Sequence, residues 1–255
     1  MASPEKLRHQ VSACLEDIPL KQKAVAVISP HAGLIYSGRV AGKVYSHLAL
    51  PKTSILIGPN HRGLGRSIAV YSQGEWQMPQ GNVMVDDALA HQILERFPDA
   101  AADTLAHQSE HCLEVQLPFL QFLKSAMRIV PIVMMRNDLL TCRKLGSTIA
   151  AILREWPEPV LLIASTDMTH YEPDPIVRQK DGRAIEKILA LDPQGLHATI
   201  NQHRISMCGH FPALTVLFAS LQLGATQAEL VHYMTSAEVG GDDERVVGYA
   251  GIIIK

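Results

Sequence analysis

Short apolar runs along the chain alternate with longer stretches in which apolar residues recur every three or four positions. The runs at 24–29, 54–57, 68–71, 128–134, 160–164, 230–235 and 246–254 are β-branched or aliphatic. Most are bounded by Gly, Pro, Asn or Asp, which predicts strands. The periodic stretches at 37–48, 86–96, 111–124, 139–155, 175–189, 193–202 and 209–221 predict helices. Strands such as Val160-Leu161-Leu162-Ile163-Ala164 are apolar at every position, so both faces of the sheet must be covered. The expected fold is a three-layer α-β-α sandwich with a mixed central sheet, formed by a single domain over 1–255, with 246–254 joining the sheet late in the chain.

Composition narrows the class further. The 255 residues are 47% hydrophobic and 19% charged, enough for a substantial core and against disorder. The net charge is −2 and basic residues do not cluster, which excludes an electrostatic footprint for nucleic acid or an anionic membrane. No apolar run approaches membrane-spanning length and residues 1–20 lack a signal-peptide core, so the expected location is the cytoplasm. Cys14, Cys112, Cys142 and Cys208 are widely spaced and form no Cys-x-x-Cys pair, so any special cysteine must act singly.

Histidine is the residue in excess, with twelve copies. In open α/β sheets the ligand crevice lies beyond the carboxyl ends of the strands. Three predicted strands end in histidine-bearing turns there: Pro30-His31-Ala32-Gly33, Gly58-Pro59-Asn60-His61 and Ser165-Thr166-Asp167-Met168-Thr169-His170. Two imidazoles plus one anionic donor is an arrangement that leaves coordination positions open on Fe(II). Candidates for the anion are Asp167, Glu110 and Cys208; the last stands just before an apolar helix, whose amino terminus would lower a thiol pKa. His111 and Glu114, three apart on a predicted helix, share a face and could bind metal or exchange protons, although a surface hydrogen bond is the commoner outcome. Pro118 should kink that helix or start a turn. Histidines 9, 47, 91, 107, 197, 203, 210 and 232 lack such neighbours in sequence and read as solvated or structural.

Five segments together resemble the Memo family, whose bacterial and archaeal members are called AmmeMemoRadiSam system protein B. They are Pro30-His31-Ala32-Gly33-Leu34-Ile35-Tyr36-Ser37-Gly38, Gly58-Pro59-Asn60-His61, Glu110-His111-Cys112-Leu113-Glu114-Val115-Gln116-Leu117-Pro118, Ser165-Thr166-Asp167-Met168-Thr169-His170 and Cys208-Gly209. The ending Val247-Gly248-Tyr249-Ala250-Gly251 resembles the family's last strand. The resemblance implies the fold of class III extradiol dioxygenases, the LigB-like group, in which Fe(II) is held by two His and one Glu. The Memo ligands, two His and a Cys, would fall on His31, His61 and Cys208. An Asp-x-x-His pair falls on Asp167 and His170, where the dioxygenases carry an acid/base histidine. Glu110, His111 and Tyr36 would line or support the substrate pocket. Family neighbours imply a radical-SAM partner and an AMMECR-type partner. Two features depart from the family pattern: its short aromatic amino-terminal motif has no counterpart in 1–23, and Cys208 in place of the dioxygenase glutamate makes a softer site, suited to Fe(II), Zn(II) or copper.

Three functions follow as expectations. The first is an Fe(II)-dependent oxidation of a small catechol-like substrate, with His170, oriented by Asp167, moving a proton. The second is a non-catalytic adaptor that binds metal or a peptide in the same pocket. The third is a metal-free thiol enzyme with Cys208 as nucleophile.

Overall fold

The structure, a computed structural model, describes residues 3–255. In chain order the elements are α1 (Pro4–Cys14), β1 (Ala26–Ser29), α2 (Leu34–Ser46), β2 (Thr53–Pro59), β3 (Ile68–Val70), β4 (Glu75–Trp76), β5 (Val83–Val85), α3 (Asp87–Arg96), β6 (Ala101–Ala102), α4 (Leu117–Leu123), β7 (Arg128–Met134), α5 (Leu139–Glu155), β8 (Val160–Ser165), β9 (His170–Glu172), α6 (Asp174–Leu189), α7 (Pro193–His203), α8 (His210–Gln222), β10 (Ala228–Thr235), α9 (Ala237–Gly240) and β11 (Val246–Ile254). Short 3-10 turns occupy Leu105–His107 and Glu114–Gln116. Helix starts follow local chemistry: Asp86, Asp138 and Asp192 cap α3, α5 and α7 by accepting the backbone N–H of Leu89, Thr141 and Gly195.

The main sheet runs in the order β10-β11-β1-β8-β2-β7-β3-β6 and is mixed. Strands β1, β8, β2 and β7 are mutually parallel, whereas β11 lies antiparallel between β10 and β1. Successive side chains alternate between two cores, as the pleat requires. Ala26, Ile28, Ile55, Ile57, Leu162 and Ala164 pack toward α3 and α5–α8. Val27, Leu56, Leu161 and Ile163 pack toward α1, α2 and α4. The result is the expected α-β-α sandwich with a mixed sheet. Among the described residues no helix is long and apolar enough to cross a membrane.

The seven expected strands are all present, with ends shifted by a few residues, and β4, β5, β6 and β9 are additional. Their shortness explains why no run announces them. Helix α1 was also not expected: only Leu7 and Val11, one turn apart, are buried in it. One expectation fails. The stretch 111–124 is not one helix, because residues up to 113 are turns, a 3-10 turn follows, and α4 begins only at Leu117 with Pro118 in its first turn. Proline is tolerated there because the first-turn N–H groups have no intrahelical partner. The N–H groups of His111 and Cys112 are taken by the Glu110 carboxylate. His111 and Glu114 therefore do not share a helical face.

His107 is buried beneath Tyr71 and Trp76, and its Nε2–H donates to the Ala69 carbonyl at 3.3 Å. Burial pushes its pKa from 6.5 down to about 4.

Two predictions follow from the packing. Gly146 on α5 faces α8, where an added Cβ would meet the Thr215 carbonyl oxygen at 2.6 Å and Phe218 Cβ at 2.9 Å. Alanine would gain about 1 kcal/mol of helix propensity, but overpacking against backbone costs about 1–3 kcal/mol. Gly146→Ala is thus expected to lower the urea midpoint, and an unchanged or raised midpoint would count against this packing. The second concerns pH. An unfolded His107 titrates near 6.5 and the folded one near 4, so the unfolded chain binds more protons between these values. Its contribution is complete above about pH 6.5 and is lost as pH falls toward 4. His31 and His210 are shifted the same way. His107→Gln should therefore flatten the stability slope in that window without abolishing it, as read by denaturation at a series of pH values.

Candidate metal centre

The side-by-side order β1-β8-β2 places three strand ends next to one another, and their turns carry His31, the Thr166-Asp167 segment and His61. His31, His61 and His111 each bring one ring nitrogen within 4.8 Å of the others. The His31 and His61 ring centroids are 5.2 Å apart and nearly perpendicular, and His61 stacks on His111 at 5.1 Å. Cys208 Sγ lies 3.3 Å from His31 Nε2. These four, with Tyr36, Asp167 and His170, line one cavity of about 830 Å³.

The hydrogen bonds fix which imidazole nitrogen faces this cavity. Ser165 ends β8 on the α2/α4 face, and its single hydroxyl proton is donated to the Cys112 carbonyl at 2.6 Å. It must therefore accept from its two other neighbours, Gln116 Nε2 at 2.9 Å and His31 Nδ1 at 3.0 Å. His31 consequently carries its proton on Nδ1 and presents the Nε2 lone pair. Gln116 also donates to the Pro30 carbonyl and accepts from Tyr45, so the chain of bonds is closed. Burial, outweighing Asp167, pushes the His31 pKa down to about 4, which keeps the ring neutral.

Glu110 does the same for His61. Its Oε1 accepts from His61 Nδ1 at 2.8 Å and its Oε2 from the His61 backbone N–H at 2.6 Å. The His111 and Cys112 N–H groups complete its shell. Burial opposes ionisation, but these donors together hold the carboxyl down to about 2. A carboxylate can only accept, so His61 carries a proton on Nδ1, and Nε2 is the ring nitrogen not taken up by Glu110. Such support behind the ring is the usual arrangement for a metal-binding imidazole. His170 is pinned by Ser206, its Nδ1–H donating to the Ser206 carbonyl at 3.0 Å.

Several expectations change here. Asp167 does not orient His170: its Oδ1 accepts the backbone N–H groups of His31 at 2.8 Å and Ala32 at 3.3 Å, because the parallel β1-β8 register sets these two turns against each other. Of the two places expected for Glu110, lining or supporting the pocket, it takes the second and stands behind the histidine cavity. His111 lines the cavity and also joins the imidazole cluster. The Cys208 thiol is not lowered by the helix terminus. Burial and then the Asp167 charge push it up to about 12, and Gly209, the cap of α8, separates it from the first helical turn. Cys112, by contrast, is a buried thiol whose Sγ–H donates to the Pro59 carbonyl at 3.1 Å. His197 and His210 are not isolated either; they stack at 5.0 Å.

Ser165, Gln116 and Ser206 were not singled out by sequence. Gln116 had one available signal, a polar residue inside the apolar run from Leu113 to Leu120. Ser165 had only its place at a strand end.

An α/β sandwich with an imidazole cluster at the strand ends defines the class. The profile described as Memo-like protein matches residues 1–253, and the chain belongs to this family. It is 38% identical over 268 residues to a MEMO1 family protein of Methanopyrus kandleri, covering 100% of this chain and 95% of the relative. A MEMO1 family protein of Methanosarcina barkeri is 40% identical over 254 residues, with 99% and 95% covered. The fold is also similar to the crystal structure of an uncharacterized protein from Escherichia coli K12, with a TM-score of 0.63 at 15% identity, covering 91% of this chain and 100% of that one.

Ser165→Ala tests the tautomer argument. It strips His31 Nδ1–H of its acceptor and the Cys112 carbonyl of a donor, at a cost of about 1–3 kcal/mol for buried groups left unpaired. In ¹⁵N NMR the native His31 should be the Nδ1–H form, and the variant a mixture. A native Nε2–H signal would overturn the assignment.

Proposed function

We propose that the chain is a metal-binding protein of class III extradiol dioxygenase-like type, oxidising a small aromatic, catechol-like substrate. His31 and His61 would hold the ion, Fe(II) first among candidates and Zn(II) or copper after it, with Cys208 or His111 as third donor. The observation that carries this reading is the pair of imidazoles whose Nδ1–H groups are both engaged from behind, leaving Nε2 as the ring nitrogen each can offer to one cavity. That donor set fits a borderline divalent metal.

Such an ion supplies Lewis acidity and open positions for substrate and oxygen. The protein residues supply the rest. Ser165 and Glu110 hold the two rings in register, so little reorganisation is needed when donors engage. His170, with Nδ1–H fixed on the Ser206 carbonyl, has Nε2 available to accept a proton from a substrate hydroxyl. Tyr36 and Tyr249 give the cavity aromatic walls suited to a flat ring, and about 830 Å³ is room for a small molecule. The raised Cys208 thiol weighs against a metal-free nucleophile, since the thiol and not the thiolate is favoured there.

Elemental analysis of protein purified without oxygen should find close to one metal per chain, and His31→Ala should lose it. Oxygen uptake over a panel of catechols should follow Fe(II) loading and fall at least about a hundredfold in His170→Ala, the usual scale for a proton-transfer group. Tight metal binding without uptake would favour the adaptor reading. Refusal of Fe(II), Zn(II) and copper alike would refute the proposal.

A further inference from the structure

A second cavity of about 480 Å³ lies behind the first, with Glu110 in its wall. Its aromatic side is a corner made of Tyr71, Trp76 and His107. The three ring pairs have centroids 5.6–5.8 Å apart and interplanar angles of 71–88°, so the rings stand nearly at right angles to one another. Its polar side carries Glu75 and Glu114, and neither Lys nor Arg lines it. Glu114 forms no hydrogen bond or ion pair of its own among the described residues, and burial raises its pKa. Glu75 accepts one bond, from Asn82 at 2.6 Å.

His107 adds an independent sign. It is only 7% exposed and lines the cavity, and since Nε2–H is spent on the Ala69 carbonyl, Nδ1 is a buried lone pair without a partner. A buried acceptor left unpaired costs on the order of 1–3 kcal/mol, so the His107 side of the cavity carries an unmet demand for a donor. The Trp76 Nε1–H is also unpartnered, but one neutral N–H does not offset two carboxylates and three ring systems.

Aromatic faces attract cations through their quadrupoles, carboxylates attract them by charge, and the unpaired acceptor beneath the wall disfavours an anion there. All three favour the same ligand chemistry. We propose that this corner is a binding site for an organic ammonium or guanidinium group, distinct from the histidine cavity and divided from it by Glu110. The group can belong to a free amine or to a Lys or Arg side chain of a peptide; both present the same head.

Calorimetric titration of the full chain at constant ionic strength tests this with n-butylammonium, agmatine and N-acetyl-lysine methylamide, against n-butanol and butyrate as neutral and anionic controls. The cations should bind at least about tenfold more tightly than butanol, and butyrate should not bind. Glu114→Gln, at a partly exposed position whose side chain has no hydrogen-bond partner among the described residues, should fold normally and weaken the cations about tenfold while leaving butanol unchanged. Trp76→Leu should weaken them further. Tighter binding of the blocked lysine than of n-butylammonium assigns the site to a peptide side chain, and the reverse to a free amine. Equal affinity for n-butylammonium and n-butanol, or cation binding indifferent to Glu114→Gln and Trp76→Leu, overturns the proposal. Because metal content is read separately, this outcome is independent of whether the histidine cavity holds an ion.

Discussion

Glu110 is a buried carboxylate that accepts four hydrogen bonds, from the His61 ring, the His61 backbone and the N–H groups of His111 and Cys112. A buried charge is tolerated only when it is so completely solvated by protein. That requirement shapes the local chain. It holds the turn after β2 against the turn before α4, and it keeps residues 110–113 out of the helix that their apolar spacing suggests. It also sets the His61 tautomer. Losing the carboxylate would therefore loosen the wall between two cavities as well as one imidazole.

Ser165 plays the matching part for His31 with no charge at all. A hydroxyl has one proton to give, and once the Cys112 carbonyl takes it, every other contact of that oxygen must be a donor. The constraint passes through Gln116 to Tyr45 on α2 and to the Pro30 carbonyl beside His31. The turn after β1, the end of β8 and the segment before α4 thus meet on one oxygen, with α2 joined to it through Gln116. The Cys112 carbonyl and N–H join this network to that of Glu110, so the two ring orientations are set by one connected set of bonds.

How much of this could be read in the chain depends on range. Strand-end placement located His31, His61 and His170 because a run of aliphatic residues followed by Gly, Pro and Asn is a local signal. The seven main strands and the three-layer architecture were legible for the same reason. Strand order was not, and strand order is what turns Asp167 toward the backbone of His31 instead of toward His170. Cys208 shows the same limit: its nearness to a helix start is visible in sequence, but the burial and the Asp167 charge that push its thiol up come from packing against a segment some forty residues away. Tyr71, Trp76 and His107 come from three separate segments, and no spacing hints that their rings form one corner.

The position of Cys208 bears on the choice of third donor. Its sulfur accepts the Asp167 N–H at 3.2 Å and stands 3.3 Å from His31 Nε2, yet the Asp167 charge nearby disfavours a second negative charge there. A thiol in that setting gives up its proton only to something that brings compensating positive charge. Under the metal-binding reading a divalent cation does so, and ligation by sulfur then releases a proton, whereas ligation by His111 does not. His111 lacks any supporting bond to its ring within hydrogen-bonding distance, Glu110 Oε1 being 3.5 Å from its Nδ1. His31 and His61 are locked from behind, so of the two candidate third donors the sulfur, fixed by a backbone N–H, is the better positioned and the imidazole the freer to move. Under the metal-binding reading that difference favours Cys208 as the third ligand and leaves His111 to adjust to whatever occupies the cavity.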